Sequence, residues 1–285
     1  MPPDTAFFLH IPRTAGTTLN SVLTANYAPE EVLSVYDKDD YKAHRAHSPA
    51  ELAKIRLIQG HLLLPRFDPP GIYGLDVRVF TFVREPVSRL VSEYLFLKSW
   101  KANHLYAYLH EQSVSFRRYI ESDDKRLRYR GKNFMTRCIS GLSTGDRAYP
   151  ARAVARAKQH LEKVFGFVGI QERFPESLLL LGDFLPLRTL FHERRNTLEG
   201  QAREEISRED LDVARERNQG DAEVYAFACG LFSERVAAAG PGFAERVRRF
   251  LFLNDKYRKM SALLMRSTAA RDTGPIGLPK ESLWR

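Results

Sequence analysis

The sequence predicts a three-layer α/β fold with a central parallel sheet. Short apolar segments alternate with longer segments whose apolar residues recur at helical spacing. In two stretches, FFLHIPRTAGTTLNSVL (residues 7–23) and VRVFTFVREPVSRLVSEYLF (77–96), an apolar run passes through a short polar loop directly into a helical pattern. Strands that are apolar throughout are typical of parallel sheets covered by helices on both faces.

Four segments are predicted to carry the strands. They are AFFLHI (6–11), KIRLIQGH (54–61), VRVFTFV (77–83) and KVFGFVGIQERF (163–174). Because sheets of this class bind ligands at the carboxyl ends of their strands, the residues that directly follow each segment are the first candidates for a site.

The helices are predicted from apolar residues spaced three and four apart. The predicted helical segments begin after the loop at 12–18 and at Val87, and continue at 174–185, 210–239 and 243–264, the last of them basic. Residues 98–147 are polar, aromatic and basic, with helices expected at 114–121 and 133–139, and are interpreted as a helical insertion over the site. One domain is predicted for residues 1–265, followed by a loose tail at 266–285.

The composition favours a single globular domain with an anionic partner. In 285 residues, 44 Lys and Arg stand against 35 Asp and Glu, so the formal charge is +9. Cys138 and Cys229 have no zinc or disulfide spacing and are expected to be buried thiols. No segment has the pattern of a signal peptide or the roughly 18 apolar residues of a membrane span, so a cytoplasmic protein is expected.

The loop PRTAGTT (12–18) is predicted to bind an anion. A loop between a buried strand and a helix collects backbone N–H groups at the positive end of the helix dipole, where phosphate or sulfate binds. The candidate residues, which add charge, hydroxyl groups or close backbone approach, are Arg13, Thr14, Ala15, Gly16, Thr17 and Thr18. The alternative interpretation is an ordinary helix start capped by threonine.

An ATP-dependent small-molecule kinase is a weaker hypothesis. The pattern G-x-x-x-x-G-K-[ST] is absent, because no lysine follows Gly16. After the third strand, Arg84 occupies the position at which a Walker-type site has a magnesium-binding Asp. A non-catalytic nucleic-acid-binding protein is the other alternative, although the positive charge is its main support.

Two segments resemble the sulfotransferases that use 3'-phosphoadenosine 5'-phosphosulfate (PAPS). HIPRTAGTTL (10–19) resembles their 5'-phosphosulfate loop, and FVREPVSRLVSEYLF (82–96) resembles their 3'-phosphate segment. The segments QGHLLLPRF (59–67), KNFMTRCISG (132–141) and VFGFVGIQERFPESLLLLGDFL (164–185) are similar to the carbohydrate-modifying branch that includes heparan sulfate 2-O-sulfotransferase. The family loop usually carries Lys at the position of Arg13, and the heparan enzymes have His at that of Gln59.

The resemblance implies a function and a set of site residues. PAPS would be the cosubstrate, no metal would be required, and the acceptor would be a hydroxyl, most simply of a carbohydrate. The matching positions make His61 the general base, Arg13 the stabiliser of the leaving group, and Arg84 with Ser92 the binding residues for the 3'-phosphate. His10 is expected to lie inside the first strand with a structural role. The oligomeric state stays open.

Three basic segments are further candidates. RRNT (194–197) is a possible second contact to the nucleotide through Arg195 and Thr197. DKRLRYRGK (124–132) would place several charges on one face if it were extended, which suits an anionic polymer; the alternative is an ordinary solvated surface. KAHRAH (42–47) could contact the acceptor, although two histidines at this spacing do not define a metal site.

Overall fold

The computed structural model describes residues 5–36, 39–40, 42, 47–61, 77–142, 149–193 and 206–269. The strands in these ranges are β1 (Thr5–Leu9), β2 (Val32–Val35), β3 (Leu57–Gly60), β4 (Val77–Val83) and β5 (Phe167–Ile170). The α-helices are α1 (Gly16–Thr24), α2 (Pro49–Leu52), α3 (Pro86–Ser99), α4 (Tyr106–Glu111), α5 (Phe116–Glu121), α6 (Phe134–Ser140), α7 (Tyr149–Lys163), α8 (Phe174–Phe184), α9 (Arg208–Arg217), α10 (Gln219–Ala238) and α11 (Phe243–Ala269).

The strands form one parallel sheet in the order β2-β3-β1-β4-β5, which confirms the predicted α/β class. Leu9 lies opposite Gly60 on one side and Thr81 on the other. The carboxyl ends of β3, β1 and β4 therefore lie side by side at one edge of the sheet. The residues that follow these three strands are brought together by topology alone.

The edge strand β2 was not predicted. It has only four residues, of which Leu33 and Val35 are buried while Ser34 and Val32 are partly exposed. This short alternation does not stand out as a strand in the sequence, since a few residues carry little periodic signal. Its pairing with β3 adds a fifth strand and places Tyr36 at the carboxyl edge of the sheet.

The sheet is buried by helices and aromatic side chains. Every residue of β1 is buried, and Phe8 stacks on Phe80 of the neighbouring strand at 5.0 Å between ring centroids. Burial of large apolar side chains on this scale contributes about 1.5–3 kcal/mol for each residue. The continuous apolar strands predicted from the sequence are thus explained by a sheet without a solvated face.

A second, smaller core lies beside α3. It is formed by buried residues of α3, α4 and α5 and their connections, among them Leu90, Leu109 and Phe116, and by Ala214 of α9. The hydroxyl of Tyr94 donates to the Val114 carbonyl at 2.9 Å within it. The helices expected at 114–121 and 133–139 are observed as α5 and α6, whereas α4 was not anticipated. That this segment covers the acceptor site stays a prediction.

Two helical segments differ from the sequence prediction. Helix α7 had no assignment because its buried face is built partly from the small residues Ala153 and Ala157, which give a weak apolar pattern. Helix α11 runs to Ala269, so residues 266–269 of the predicted loose tail are helical, and 270–285 lie outside the described residues. Cys138 is buried and Cys229 partly exposed, and both thiols are free. Among the helices described, none is both long and apolar enough to cross a membrane.

Candidate active site

The site lies at the carboxyl edge of the sheet, where four strands end in functional side chains. Tyr36, His61, His10 and Arg84 directly follow β2, β3, β1 and β4, respectively. Backbone hydrogen bonds hold this row, because the His10 amide donates to the Gly60 carbonyl at 2.9 Å and the His61 amide donates to the Val35 carbonyl at 3.2 Å. The predicted base and the predicted phosphate-binding arginine are therefore placed on either side of β1.

The loop from β1 to α1 has a strained backbone. Arg13 and Ala15 both have positive φ, at 70° and 69°, which side-chain-bearing residues adopt at a cost of about 1–3 kcal/mol each. Ala15 is the N-cap of α1 and no side chain caps the helix there. Such alternation of backbone conformation turns successive N–H groups toward a common point, as in anion-binding nests. The predicted anion loop is thus observed as a tight turn that opens onto a helix N-terminus.

The threonines of the loop have different roles. Thr14 is fully buried and its hydroxyl donates to the Ile11 carbonyl at 2.7 Å, so its side chain stabilises the turn rather than reaching a ligand. This corrects the prediction of Thr14 as a hydroxyl donor to the anion. Thr17 and Thr18 lie in the first turn of α1 and are partly exposed, as a binding role requires.

Gly16 is required by a close approach. A Cβ atom at this position would lie 1.6 Å from Nε2 of His10, so any side chain would displace the imidazole. The sequence interpretation was that Gly16 allows a ligand to approach the backbone. The structure adds a second reason, since the glycine lets the start of α1 pack directly on the histidine ring.

Arg13 links the two segments, 10–19 and 82–96, that resemble the PAPS-dependent sulfotransferases. Its Nε donates to Oγ of Ser92 on α3 at 3.1 Å, and its guanidinium lies over the Phe96 ring, 4.3 Å from the centroid. Burial and, secondly, the nearby positive Arg84 lower the pKa of Arg13 to about 10, which leaves it charged at neutral pH. The backbone of Arg13 thus belongs to the loop predicted for the 5'-phosphosulfate, while its side chain contacts Ser92, a residue predicted for the 3'-phosphate.

Arg84 points back toward the loop. Its Nη1 donates to the Arg13 carbonyl at 3.2 Å, whereas its Nε is buried and has no hydrogen-bond partner among the described residues. Burial lowers the pKa of this guanidinium, with Glu172 acting in the opposite direction. A buried N–H donor without a partner costs about 1–3 kcal/mol, which an anionic ligand would recover.

The first two carboxylates that follow Arg84 in the sequence are occupied elsewhere. Glu85 caps α3, since its carboxylate accepts from the amides of Val87 and Ser88 at 3.0 and 2.7 Å. Glu93 is buried between Arg89 and Arg130, with contacts of 2.6 and 2.8 Å. These two guanidiniums outweigh the cost of burial and hold the pKa of Glu93 below its ordinary value. These contacts leave both carboxylates poorly suited to act as a general base.

His61 lies against two rings and remains accessible. Its centroid is 4.7 Å from that of His10 and 4.9 Å from that of Tyr36, and the residue as a whole is exposed. The surrounding protein lowers the pKa of His61 to about 4, first through desolvation and then through the positive Arg130. The exposure of the residue and its lowered pKa both fit a neutral imidazole at pH 7 that an acceptor hydroxyl can reach.

His10 belongs to this cluster, which corrects the expectation that it lies inside a strand. Strand β1 ends at Leu9, and the His10 ring packs on Phe8, Tyr36 and His61. Its Nδ1 is hydrogen-bonded to the Tyr36 hydroxyl at 3.3 Å. Desolvation, and secondly His61, lower the pKa of His10 well below its usual value. Tyr36 was missed because β2, which places it here, was not recognised.

The basic run 124–132 does not form a charged face. The chain turns there, so that Arg126 pairs with Asp124 at 2.7 Å while Arg130 is directed inward to Glu93. Only Arg130 approaches the site, where its charge acts on His61. The segment is therefore not extended, so the condition under which its charges would share one face is not met.

Two other predictions fall on residues outside the described ranges. Arg195 and Thr197 lie in 194–205, and His44 lies in 43–46. Within the described part of the chain, no group of three or more His, Cys, Asp or Glu residues is arranged to hold a metal ion.

Comparison with known proteins identifies the family. Residues 2–228 match the profile of the sulfotransferase family, so the chain belongs to that family. The crystal structure of mouse sulfotransferase SULT7A1 complexed with PAP matches with 14% sequence identity and a TM-score of 0.35, over 68% of this chain and 61% of that chain. The match thus spans less than two thirds of the mouse chain. No curated protein matches the chain.

Proposed function

We propose that the chain transfers the sulfuryl group of PAPS to a hydroxyl of a carbohydrate acceptor. The observation that carries this proposal is the pairing of Arg84 with the Arg13 loop: the guanidinium donates to the Arg13 carbonyl and keeps a buried N–H without a partner among the described residues. Family membership supports the reaction class.

The phosphate groups of the cosubstrate would be held by two clusters. The N-terminal turn of α1, with Thr17 and Thr18, would bind the 5'-phosphosulfate through backbone N–H groups and hydroxyls. Arg84 and Ser92 would bind the 3'-phosphate, and Arg13, which belongs to the loop, is hydrogen-bonded to both of them. Charge-assisted hydrogen bonds of this kind are roughly twice as strong as neutral ones.

His61 would act as the general base. The acceptor oxygen attacks sulfur, its proton passes to the imidazole, and the bond between sulfur and the bridging phosphate oxygen breaks, which leaves a sulfate ester and the bisphosphate. Neutral His61 can accept the proton, and the leaving phosphate oxygen gains charge where the loop N–H groups and Arg13 can stabilise it. His10 and Tyr36 would position the base, because both rings pack against it.

The acceptor class rests on charge. Arg130 is partly exposed and acts electrostatically on His61, so it would attract an acceptor that carries carboxylate or sulfate groups next to its reacting hydroxyl. The formal charge of +9 favours the same class of substrate. An acidic polysaccharide satisfies these conditions better than a neutral phenol or sterol.

Two measurements test the proposal. The bisphosphate product of PAPS should raise the melting temperature, whereas ATP with magnesium and duplex DNA should not. Labelled sulfate from PAPS should then appear on desulfated heparan fragments in preference to a tyrosine peptide or a phenol, and turnover should persist in EDTA. Stabilisation by ATP and magnesium alone would support the kinase hypothesis. Transfer only to the phenol or the peptide would refute the carbohydrate assignment while leaving the reaction class intact.

A further inference from the structure

Helix α11 is only partly packed on the rest of the molecule. It runs 27 residues, and Phe243, Phe250 and Asn254 are the buried positions among residues 243–264, whose side chains the structure describes. The Asn254 side-chain oxygen accepts the His192 amide at 2.9 Å, which fixes the helix near its middle. Between residues 255 and 264 every side chain is exposed except that of Ser261, which is partly exposed, and large apolar side chains are among them.

Three of the exposed apolar residues of α11 share one face. Leu253, Met260 and Leu263 are 38%, 62% and 65% exposed, and together with Lys256 they recur at intervals of three and four residues. Side chains at this spacing lie on one side of a helix. We refer to these four residues as the 253–263 face. Phe252, 60% exposed, lies at its margin, with the Lys256 ammonium 4.4 Å from its ring centroid.

The helix that carries this face is strongly basic. Seven Lys or Arg residues stand against two acidic residues between positions 243 and 269. Both acidic residues are already paired, Glu245 with Arg248, and Asp255 with Lys259 at 2.7 Å. Arg249, Lys256 and Arg258 are exposed and have no carboxylate partner among the residues that the structure describes.

We propose that the 253–263 face docks on an anionic phospholipid surface. A helix with exposed leucine, methionine and phenylalanine beside unpaired basic groups fits the boundary between acyl chains and phosphate headgroups. The apolar side chains would enter the acyl region while Lys256 and Arg249 contact the phosphates. The helix would lie along the surface, and the proposal does not depend on the reaction proposed above.

The charge distribution favours lipid over a second copy of the chain. If the α11 helices of two copies packed together through the 253–263 face, Lys256 would lie in the middle of the apolar interface, where burial of an ammonium group is costly. Two copies would also bring together two basic helices of the same charge. At a phospholipid surface both features are favourable, since the ammonium can remain among the headgroups.

The test uses the full chain and sedimentation with vesicles. Phosphatidylcholine vesicles that contain phosphatidylglycerol should bind the protein, and vesicles of phosphatidylcholine alone should bind it at least about tenfold more weakly, since each basic residue near an anionic surface contributes about 1 kcal/mol. The variant Met260→Asp with Leu263→Asp should lower binding to the anionic vesicles roughly tenfold or more, because buried apolar surface is lost and negative charge is added.

The matched control is Leu251→Asp. Leu251 is 48% exposed on the same helix, but it lies about 160° around the axis from Leu253. This variant should bind the anionic vesicles to within about threefold of the parent chain, allowing for the charge it adds. Melting temperatures of all variants should match the parent, since every substituted side chain is exposed.

Three results would overturn the proposal. One is absence of binding to the anionic vesicles. Another is an equal loss of vesicle binding in the face variant and in the Leu251→Asp control, which would show that basic groups outside the 253–263 face bind the vesicles. The third is a dimer in place of vesicle binding. If sedimentation velocity showed a concentration-dependent dimer that Met260→Asp with Leu263→Asp abolishes, and no vesicle binding were seen, the face would bind a second copy of the chain.

Discussion

The imidazole rings of His10 and His61 lie 4.7 Å apart at the ends of adjacent strands. Each ring also contacts Tyr36, at 5.7 Å and 4.9 Å between centroids. The base proposed for catalysis is therefore held by packing between two side chains that carry no charge at neutral pH. Its position depends on strand order, because β2, β3 and β1 are neighbours in the sheet.

The first prediction concerns His61. Replacement by Ala should lower kcat about 10²- to 10⁴-fold, the usual contribution of a positioned general base, with unchanged affinity for the bisphosphate. Single-turnover rates and calorimetry measure the two effects separately. His110→Ala on α4, where the ring nitrogen is bonded to the Lys98 carbonyl, is the control and should leave both unchanged. A single-turnover rate within about threefold of that of the parent enzyme would show that His61 is not the general base.

The second prediction concerns the pKa of His61. Arg130 lowers this pKa and Glu93 raises it. Arg130→Gln should therefore raise the pKa for two reasons, because it removes a positive neighbour and leaves the negative charge of Glu93 less compensated. The acid limb of kcat/KM should move upward from about pH 4, and the imidazole resonance in proton NMR should titrate at correspondingly higher pH. Arg130→Lys, which keeps the charge, should shift it less. An unchanged titration would show that Arg130 does not act on the base.

The third prediction follows from linkage. Because the folded chain keeps His61 neutral down to about pH 4 while the unfolded chain protonates it near 6.5, the unfolded state binds more protons in this interval. The melting temperature should therefore fall as the pH is lowered from 6.5 toward 4, and His10, whose pKa is also lowered, acts in the same direction. His61→Ala should make this decline less steep. An equal decline in parent and variant would show that His61 is not held neutral.

The fourth prediction concerns Arg84. Replacement by Ala should weaken binding of the bisphosphate by about 2–4 kcal/mol, because a charge-assisted contact to a desolvated phosphate is lost. Arg78→Ala is a matched control at the opposite end of β4, where Arg78 donates to the Phe184 carbonyl at 2.8 Å. Calorimetry should show normal affinity for the control. Equal losses for both variants would indicate a general effect on the strand.

Residues that directly follow buried strands were predictable from the sequence. Arg84 and His61 come immediately after apolar segments that the sequence marks as strands, and parallel topology then forces both to one edge. The Arg13 loop was found for the same reason. These predictions needed only local pattern and a general property of parallel sheets.

The residues that were missed depend on longer-range contacts. Tyr36 needed recognition of a four-residue strand with one polar position, and Arg130 needed its partner Glu93, which is 37 positions away in the sequence. The alternating charges around Arg130 suggested an extended face, whereas local carboxylates such as Asp124 turn the chain. Periodicity does not report such pairings, because they are decided by tertiary packing.

The last prediction tests the contact between Gly16 and His10. A Cβ at position 16 would lie 1.6 Å from the His10 Nε2, and the ring has little room to move because it packs on Phe8, Tyr36 and His61. Gly16→Ala should therefore destabilise the fold by about 1–3 kcal/mol, as overpacking does, and weaken binding of the bisphosphate. The control Gly230→Ala, on α10 with open space around it, should be neutral or stabilising. If His10 is first replaced by Ala, the clash disappears. In denaturant unfolding, Gly16→Ala should therefore lower the free energy of unfolding by less in the His10→Ala background than in the parent chain. If Gly16→Ala melts like the parent and binds the bisphosphate normally, the loop and the histidine are not packed as the structure has them.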